Sequence, residues 1–295
     1  MLESVAELLF KVNESSFLPW ETIMRLDAED QGYSFEESRR RMEKVYNTMK
    51  ISIEQYDGSL RSNSGLVGGD GALMEQALLN GNLIGDSYIN EVISYALKMG
   101  ENNACMKRIA AAPTAGACGV IPAVLLPLVN SGEITDSEAV ESLYISAAFG
   151  QIIAYRASIS GAEGGCQAEI GTASAMAAAQ LVMLRGGTIE AAAQACAMAL
   201  SNLMGLVCDP VAGLVEIPCV KRNVIGAVSA VAAANMALAG IVGHIPPDEV
   251  IDSMGEVGRI LPSSLRETGK GGLANTPTGK RIAESFFGGC KNGGI

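Results

Sequence analysis

Residues 224–242, VIGAVSAVAAANMALAGIV, carry no charged side chain. A helix of that composition must be enclosed by other apolar elements or by a bilayer. Alanine and glycine dominate the stretch, only a minority of its residues are the types that insert favourably into lipid, and Ser229 and Asn235 weaken insertion further. The expectation is therefore a central helix, apolar all round, and no membrane span. The rest of the composition agrees, with 48% apolar but only 5% aromatic residues, so the core must be built from small aliphatic side chains. A net charge of −11 gives neither a phosphate backbone nor an anionic lipid surface anything to attract. No nucleic acid and no membrane is expected as a partner, and the ligand should be small.

Helical signals run through most of the chain. Met42, Val45, Tyr46, Met49 and Ile53 share one face at helical spacing, and Ser34 with Glu37 forms a capping box ahead of them. Thr135 and Glu138 repeat the device before Leu143, Ile145, Ala148 and Ile152. Further helices are expected over residues 92–99, 119–129, 167–184, 189–206 and 223–242, and no alternating strand is evident. The fold class this predicts is all-α, a single helical domain over 1–295 that includes an N-terminal helical segment of about 1–60. The opening MLESVAELLF places Glu3 and Glu7 inside its apolar run with no basic leader, which reads as a cytoplasmic protein.

Five loops rich in small residues separate the helices: SGLVGGDG at 64–71, APTAGACG at 112–119, ISGAEGG at 159–165, CDPVAGLVEIPC at 208–219 and ETGKGG at 267–272. Glycine permits positive φ and close backbone approach, so these loops can converge on a ligand and turn amides toward an anion. They read equally well as ordinary helix connections. None has the spacing of a P-loop, and none follows a readable strand. Ser64, Gly65, Gly68, Gly69 and Asp70 could offer a hydroxyl and amides to a carboxylate. Lys221, Arg222 and Asn223 could add polar groups close to Cys219, or could simply be a solvated turn.

Seven cysteines without a C-x-x-C pair argue against both a disulfide framework and an ordinary zinc finger. Cys196, among alanines, reads as a small core hydrophobe, and Cys105 likewise. Cys166, Cys208 and Cys219 lie at loop or helix edges, where a thiol can meet a ligand, and a helix N-terminus would favour the thiolate at Cys166. On spacing alone they are either a three-thiolate metal site or packing residues. The lone histidine, His244, reads as a residue at the C-terminus of the alanine-rich helix and as no part of a catalytic triad.

Taken together, SGLVGGD, KRIAAAPTAGACGVIPAVL, SISGAEGGCQAEIGTASAMAA, CDPVAGLVEIPCVKRN and GGLANTPTGK resemble the alpha part of the iron–sulfur L-serine dehydratases over nearly the whole chain. The resemblance implies Gly-rich loops gathered on a 4Fe-4S cluster held by Cys166, Cys208 and Cys219, with one iron left free of a protein thiolate to act as a Lewis acid. It implies no pyridoxal phosphate. L-serine would lose water to give aminoacrylate, which becomes the imine and hydrolyses to pyruvate and ammonia. Substrate contacts are carried over to the segment from Ser64 to Asp70, to Thr114 and Gly116, and less directly to Lys221, Arg222 and Asn223. Longer single-chain relatives carry an additional N-terminal domain, so the resemblance also implies a separate beta subunit in a hetero-oligomer, from which the α-proton base could come. Cys290 is a possible fourth ligand. Two alternatives remain at this stage: a cysteine desulfidase-type β-elimination enzyme of the same architecture, and a non-enzymatic iron–sulfur sensor.

Overall fold

The computed structural model describes residues 2–287. Cys290 lies outside the described residues. Three helices open the chain: α1 (Val5–Asn13), α2 (Pro19–Gln31) and α3 (Phe35–Glu54). Next come α4 (Asp70–Leu79), α5 (Ser87–Ala104), α6 (Val120–Asn130) and α7 (Asp136–Arg156). A single turn, α8 (Gly161–Gly164), leads through a π-turn (Gln167–Gly171) into α9 (Thr172–Leu184). The remainder is α10 (Ile189–Leu203), α11 (Cys219–Leu238), α12 (Pro247–Ile260) and α13 (Pro277–Phe287). No strand occurs among the described residues; Cys208 and Arg266 form one isolated bridge. The fold is all-α.

Capping fixes several boundaries. At α7 both halves of the box form: the Thr135 hydroxyl accepts from the Glu138 amide and the Glu138 carboxylate accepts from the Thr135 amide. At α3 only half of it does. Ser34 Oγ accepts from the Glu37 amide at 3.2 Å, but the Glu37 carboxylate turns outward to Arg40 and Arg41. Two guanidiniums within reach offer that carboxylate more than one orphan amide can.

The core lies between α5, α6, α7, α9, α10 and α11, which pack on one another. Alanine and glycine let these helices approach closely. Ala173, Ala177, Ala227, Ala230 and Ala233 are fully buried, and Phe149 and Tyr144 are the largest side chains enclosed with them. Helix α11 departs from the expected enclosure all round. Its faces toward α5, α9 and α10 are buried, but Ile225, Ala232, Asn235 and Leu238 are exposed, because no helix among the described residues covers its outer side. It also begins four residues earlier than its apolar pattern suggests and ends at Leu238, where Gly240 turns the chain at φ +83°. His244 is consequently an exposed turn residue beyond the helix, not part of its last turn. No helix among the described residues is long and apolar enough to cross a membrane.

Candidate active site around three cysteines

Each of the three edge cysteines reaches the site on a different kind of local structure. Cys166 follows Gly165, whose positive φ (+75°) lets the chain reverse against Leu206 and Leu261. Gln167, buried, pins that reversal: its amide donates to Leu206 O at 2.9 Å, its Nε2 to Met254 O, and its Oε1 accepts from the Gly205 amide at 2.7 Å. Cys208 is held by a two-sided bridge, its amide donating to Leu265 O and its carbonyl accepting from the Glu267 amide, both at 2.8 Å. Cys219 is the first residue of α11, directly after Pro218.

The ligand atoms of Cys166, Cys208 and Glu169 lie within 4.8 Å of one another. Cys219 is outside that tight group, yet close enough that its charge would act on those of Cys166 and Cys208. None of the three is in a disulfide. A hydrogen bond from Cys208 and the cation of Arg222 favour the thiolate at Cys166 despite its burial. Cys208 is pushed the other way by donating to Cys166 and by burial, and burial pushes the Cys219 thiol up to about 12. The neighbouring sulfurs oppose one another's ionisation, and Arg222 favours the charged form at Cys166 in particular.

Glu169 escaped the reading of the sequence. Its position three residues after Cys166 was the available signal, but a regular helix from 167 onward would not have singled it out. The π-turn changes the local register, a feature often found at functional sites. The Glu169 side chain is half-buried and its pKa is raised by that burial, with the Thr114 hydroxyl opposing the shift. Thr114 Oγ1 itself is buried without a full hydrogen bond. Two glycines press against the carboxylate: a Cβ on Gly161 would stand 2.8 Å from Glu169 Oε2 and 3.3 Å from Cys208 Sγ, and one on Gly116 would stand 3.3 Å from Glu169 Oε1. The loops at 112–119, 159–165 and 208–219 therefore do meet here.

The other sequence candidates divide by where they lie. Ser64 and Gly116 line a cleft of about 560 Å³, together with Asn63, Asn103 and Glu216. Arg222 turns inward, away from any such cleft: its Nη1 donates to Cys166 Sγ at 3.3 Å and to Val207 O at 2.7 Å, and its Nη2 pairs with Asp209 at 2.8 Å. Asp209 is held in turn by the Leu273 amide at 2.7 Å, over Gly272, where any Cβ would fall 2.2 Å from the carboxylate. Lys221 is exposed and pairs with Asp70 at 3.3 Å. The amides expected to face a substrate carboxylate already have an anion of their own. Those of Asp70 and Gly71 donate to the buried Glu101, at 2.7 and 3.2 Å, and Tyr56 donates to the same carboxylate. Gly65, Gly68 and Gly69 shape that loop at φ +76°, +134° and +84°. At Gly68 a Cβ would overlap Leu60 O, 2.2 Å away.

Asn223 works as a strut beneath the site. Its Nδ2 donates to Gly116 O at 2.8 Å and its Oδ1 accepts from the Gly119 amide at 2.8 Å, tying the second loop to α11. Asn223→Leu leaves both backbone groups without partners in a buried place, which costs roughly 1–3 kcal/mol per group. A lowered urea midpoint with an unchanged slope is the expected result.

An all-α scaffold that gathers unbridged cysteines and a carboxylate next to a largely apolar cleft that holds one acidic side chain defines a protein with a thiol-rich centre suited to a metal group. This chain belongs to the serine dehydratase alpha chain family, whose pattern matches residues 14–274. It is 43% identical over 290 residues to the probable L-serine dehydratase alpha chain of Bacillus subtilis (strain 168), a match covering 98% of this chain and 97% of that one. It is 37% identical over 289 residues to the L-serine dehydratase alpha chain of Peptoniphilus asaccharolyticus, covering 97% of this chain and 99% of the relative. An L-serine dehydratase of Escherichia coli (strain K12) is 42% identical over 207 residues, and that match covers 69% of this chain and 46% of the longer relative.

Proposed function

We propose that this chain is the catalytic alpha subunit of an iron–sulfur L-serine dehydratase, a cytoplasmic lyase that converts L-serine to pyruvate and ammonia together with a separate beta subunit. The observation that carries the reading is the meeting of Cys166, Cys208 and Glu169, with Cys219 beside them, from segments far apart in sequence. The family and the names of the relatives support the substrate and the reaction.

The residues present fit a 4Fe-4S cluster. Three sulfurs converge without bonding to each other, a guanidinium donates to one of them, and glycine at 161 leaves a space that a Cβ would fill. When bound by Cys166, Cys208 and Cys219, such a cluster would supply one iron free of a protein thiolate as a Lewis acid for the hydroxyl and carboxylate of serine. Arg222 would hold the Cys166 sulfur in its charged form, and Asp209 would hold Arg222 in place. Glu169, facing the thiols on one side and the Gly116 wall of the cleft on the other, is the group in this chain placed to take the α-proton. A base from the beta subunit is then not required. Ser64 and Gly116 would line the path of the substrate, while Gly65, Gly68, Gly69 and Asp70 would keep the loop that presents Ser64 in shape. Thr114 would steady Glu169, and Lys221 would act only through Asp70.

Iron and acid-labile sulfide, measured on protein purified without oxygen with its beta partner, test this reading first. About four of each per alpha chain is expected. Exposure to air should lower the iron content and the release of pyruvate from serine in parallel. Well-folded protein with neither iron nor sulfide would overturn the cluster assignment, and more pyruvate from cysteine than from serine would overturn the substrate.

A further inference from the structure

Among the described residues, the cleft that Ser64 and Gly116 line contains one ionisable side chain, Glu216. Glu216 is 8% exposed, and no cation lies within ion-pair distance of it among the described residues. The two other carboxylates buried as deeply are compensated. Asp209 has Arg222, and Glu101 has two backbone amides and the Tyr56 hydroxyl. The side-chain partners of Glu216 are two hydroxyls, those of Ser62 at 3.1 Å and of Ser64, and both donate to the same oxygen, Oε2. Oε1 accepts no hydrogen bond among the described residues. Oε1 is not sealed from solvent, so a cation arriving through the cleft can reach it and supply the opposite charge that the two hydroxyls do not.

The two serines are fixed in turn. Ser64 Oγ accepts from the Leu66 amide at 3.0 Å and Ser62 Oγ from the Val67 amide at 3.3 Å, so the first glycine loop delivers two oriented hydroxyls to Oε2 and leaves Oε1 free. The Glu216 main chain is anchored as well, its carbonyl accepting from the Val220 amide at 3.0 Å in the first turn of α11. The arrangement is preorganised for one positive group arriving from the cleft.

We propose that Glu216 receives the α-ammonium group of the substrate, and that this carboxylate restricts the cleft to amino acids and excludes the corresponding hydroxy acids. The inference rests on the serine-eliminating reading and deepens it. The substrate hydroxyl and carboxylate then point away from Glu216, since a second anion beside an unneutralised carboxylate is repelled. It also gives Ser64 a defined part: its one hydroxyl proton is committed to Glu216, so it orients the acceptor and does not itself donate to the substrate.

Two non-reacting probes separate the amine from the rest of the substrate: L-alanine, which has the ammonium but no hydroxyl, and 3-hydroxypropionate, which has the hydroxyl and carboxylate but no amine. Dissociation constants by ligand-observed NMR on the anaerobic complex, for the native enzyme and for Glu216→Gln, are the measurement. Removing one partner of a buried charged pair should weaken L-alanine binding and raise KM for L-serine on the order of 30-fold or more. Binding of 3-hydroxypropionate should be unchanged or tighter, because a negative charge has left the cleft. Glu216→Asp, which keeps the charge, should recover part of the amine preference. Equal weakening of both probes, no change in either, or an aspartate variant no better than glutamine would overturn the proposal. If Glu216→Gln does not fold, Ser62→Ala serves, with a several-fold loss expected for L-alanine alone and equal effects on both probes counting against the proposal. Because binding does not depend on turnover, absence of pyruvate from the native enzyme would sink the elimination reading by itself and leave the amine preference to be judged separately.

Discussion

Cys208→Ala is expected to abolish iron and sulfide binding and to reduce pyruvate formation to background, while the chain remains helical. The sulfur of Cys208 belongs to the group in which it, the Cys166 sulfur and a Glu169 oxygen all lie within 4.8 Å of one another. Its backbone, in contrast, is held by main-chain bonds to Leu265 and Glu267 that do not involve the side chain. Removing one small buried group should therefore cost little stability, and a cluster deprived of one of three thiolates loses far more than the packing does. Cys166→Ala and Cys219→Ala should act alike. Cys196→Ala is the control: that residue is fully buried on α10, away from the site, so its replacement should leave the iron content at the native level and lower the melting temperature modestly. Iron retained at native stoichiometry in Cys208→Ala would show that this sulfur is a packing residue, and the cluster assignment would fail with it.

Arg222 bears on the same question. Its guanidinium donates to Cys166 Sγ and pairs with Asp209, which is 3% exposed and is itself held over Gly272. The three residues Lys221, Arg222 and Asn223 look alike in sequence, as a polar cluster at the head of a helix. On a helix, however, adjacent positions point about 100° apart. One therefore faces solvent and Asp70, one the sulfur, and one the second loop. A run of polar residues read as one patch becomes three different roles.

The parts of the fold that were legible in the sequence are those set by short-range patterns. The Thr135 and Glu138 box starts α7 where the pattern puts it, and the alanine-rich core helices and the burial of Cys196 follow from composition. What could not be read depends on which group wins a competition between elements. Glu37 satisfies one half of its box pattern but chooses two arginines over the Ser34 amide. The Asp70 and Gly71 amides are free in the sequence and taken in the fold, because Glu101 on α5 arrives at the start of α4. Glu216 lies in a motif noticed for its cysteines, and nothing in CDPVAGLVEIPC discloses that Ser62 and Ser64 would come to meet it. The cysteine order was visible, whereas the carboxylates that complete the site belong to contacts of long sequence separation.

Glu169 carries the second large expectation. Glu169→Gln keeps the size and shape of the side chain, so the close approaches of Gly116 and Gly161 and the contact from Thr114 can persist. It removes the negative charge and with it the ability to accept a proton at that position. A positioned base contributes about 10²–10⁴-fold to a rate. The expected result is a fall of that size in kcat for serine, with KM little changed and the full iron and sulfide content retained. Glu169→Asp should recover little, because shortening the side chain withdraws the carboxylate from a place fixed by the π-turn. Stability offers an internal check. Burial raises the pKa of this carboxyl, so its ionised form is the disfavoured one in the folded chain, and a neutral amide there should not lower the melting temperature at neutral pH. Inactivity together with native stability and native iron would identify the proton acceptor. Inactivity together with lost iron would instead make Glu169 an oxygen ligand beside the thiolates, and the α-proton would then have to go to a group of the beta subunit.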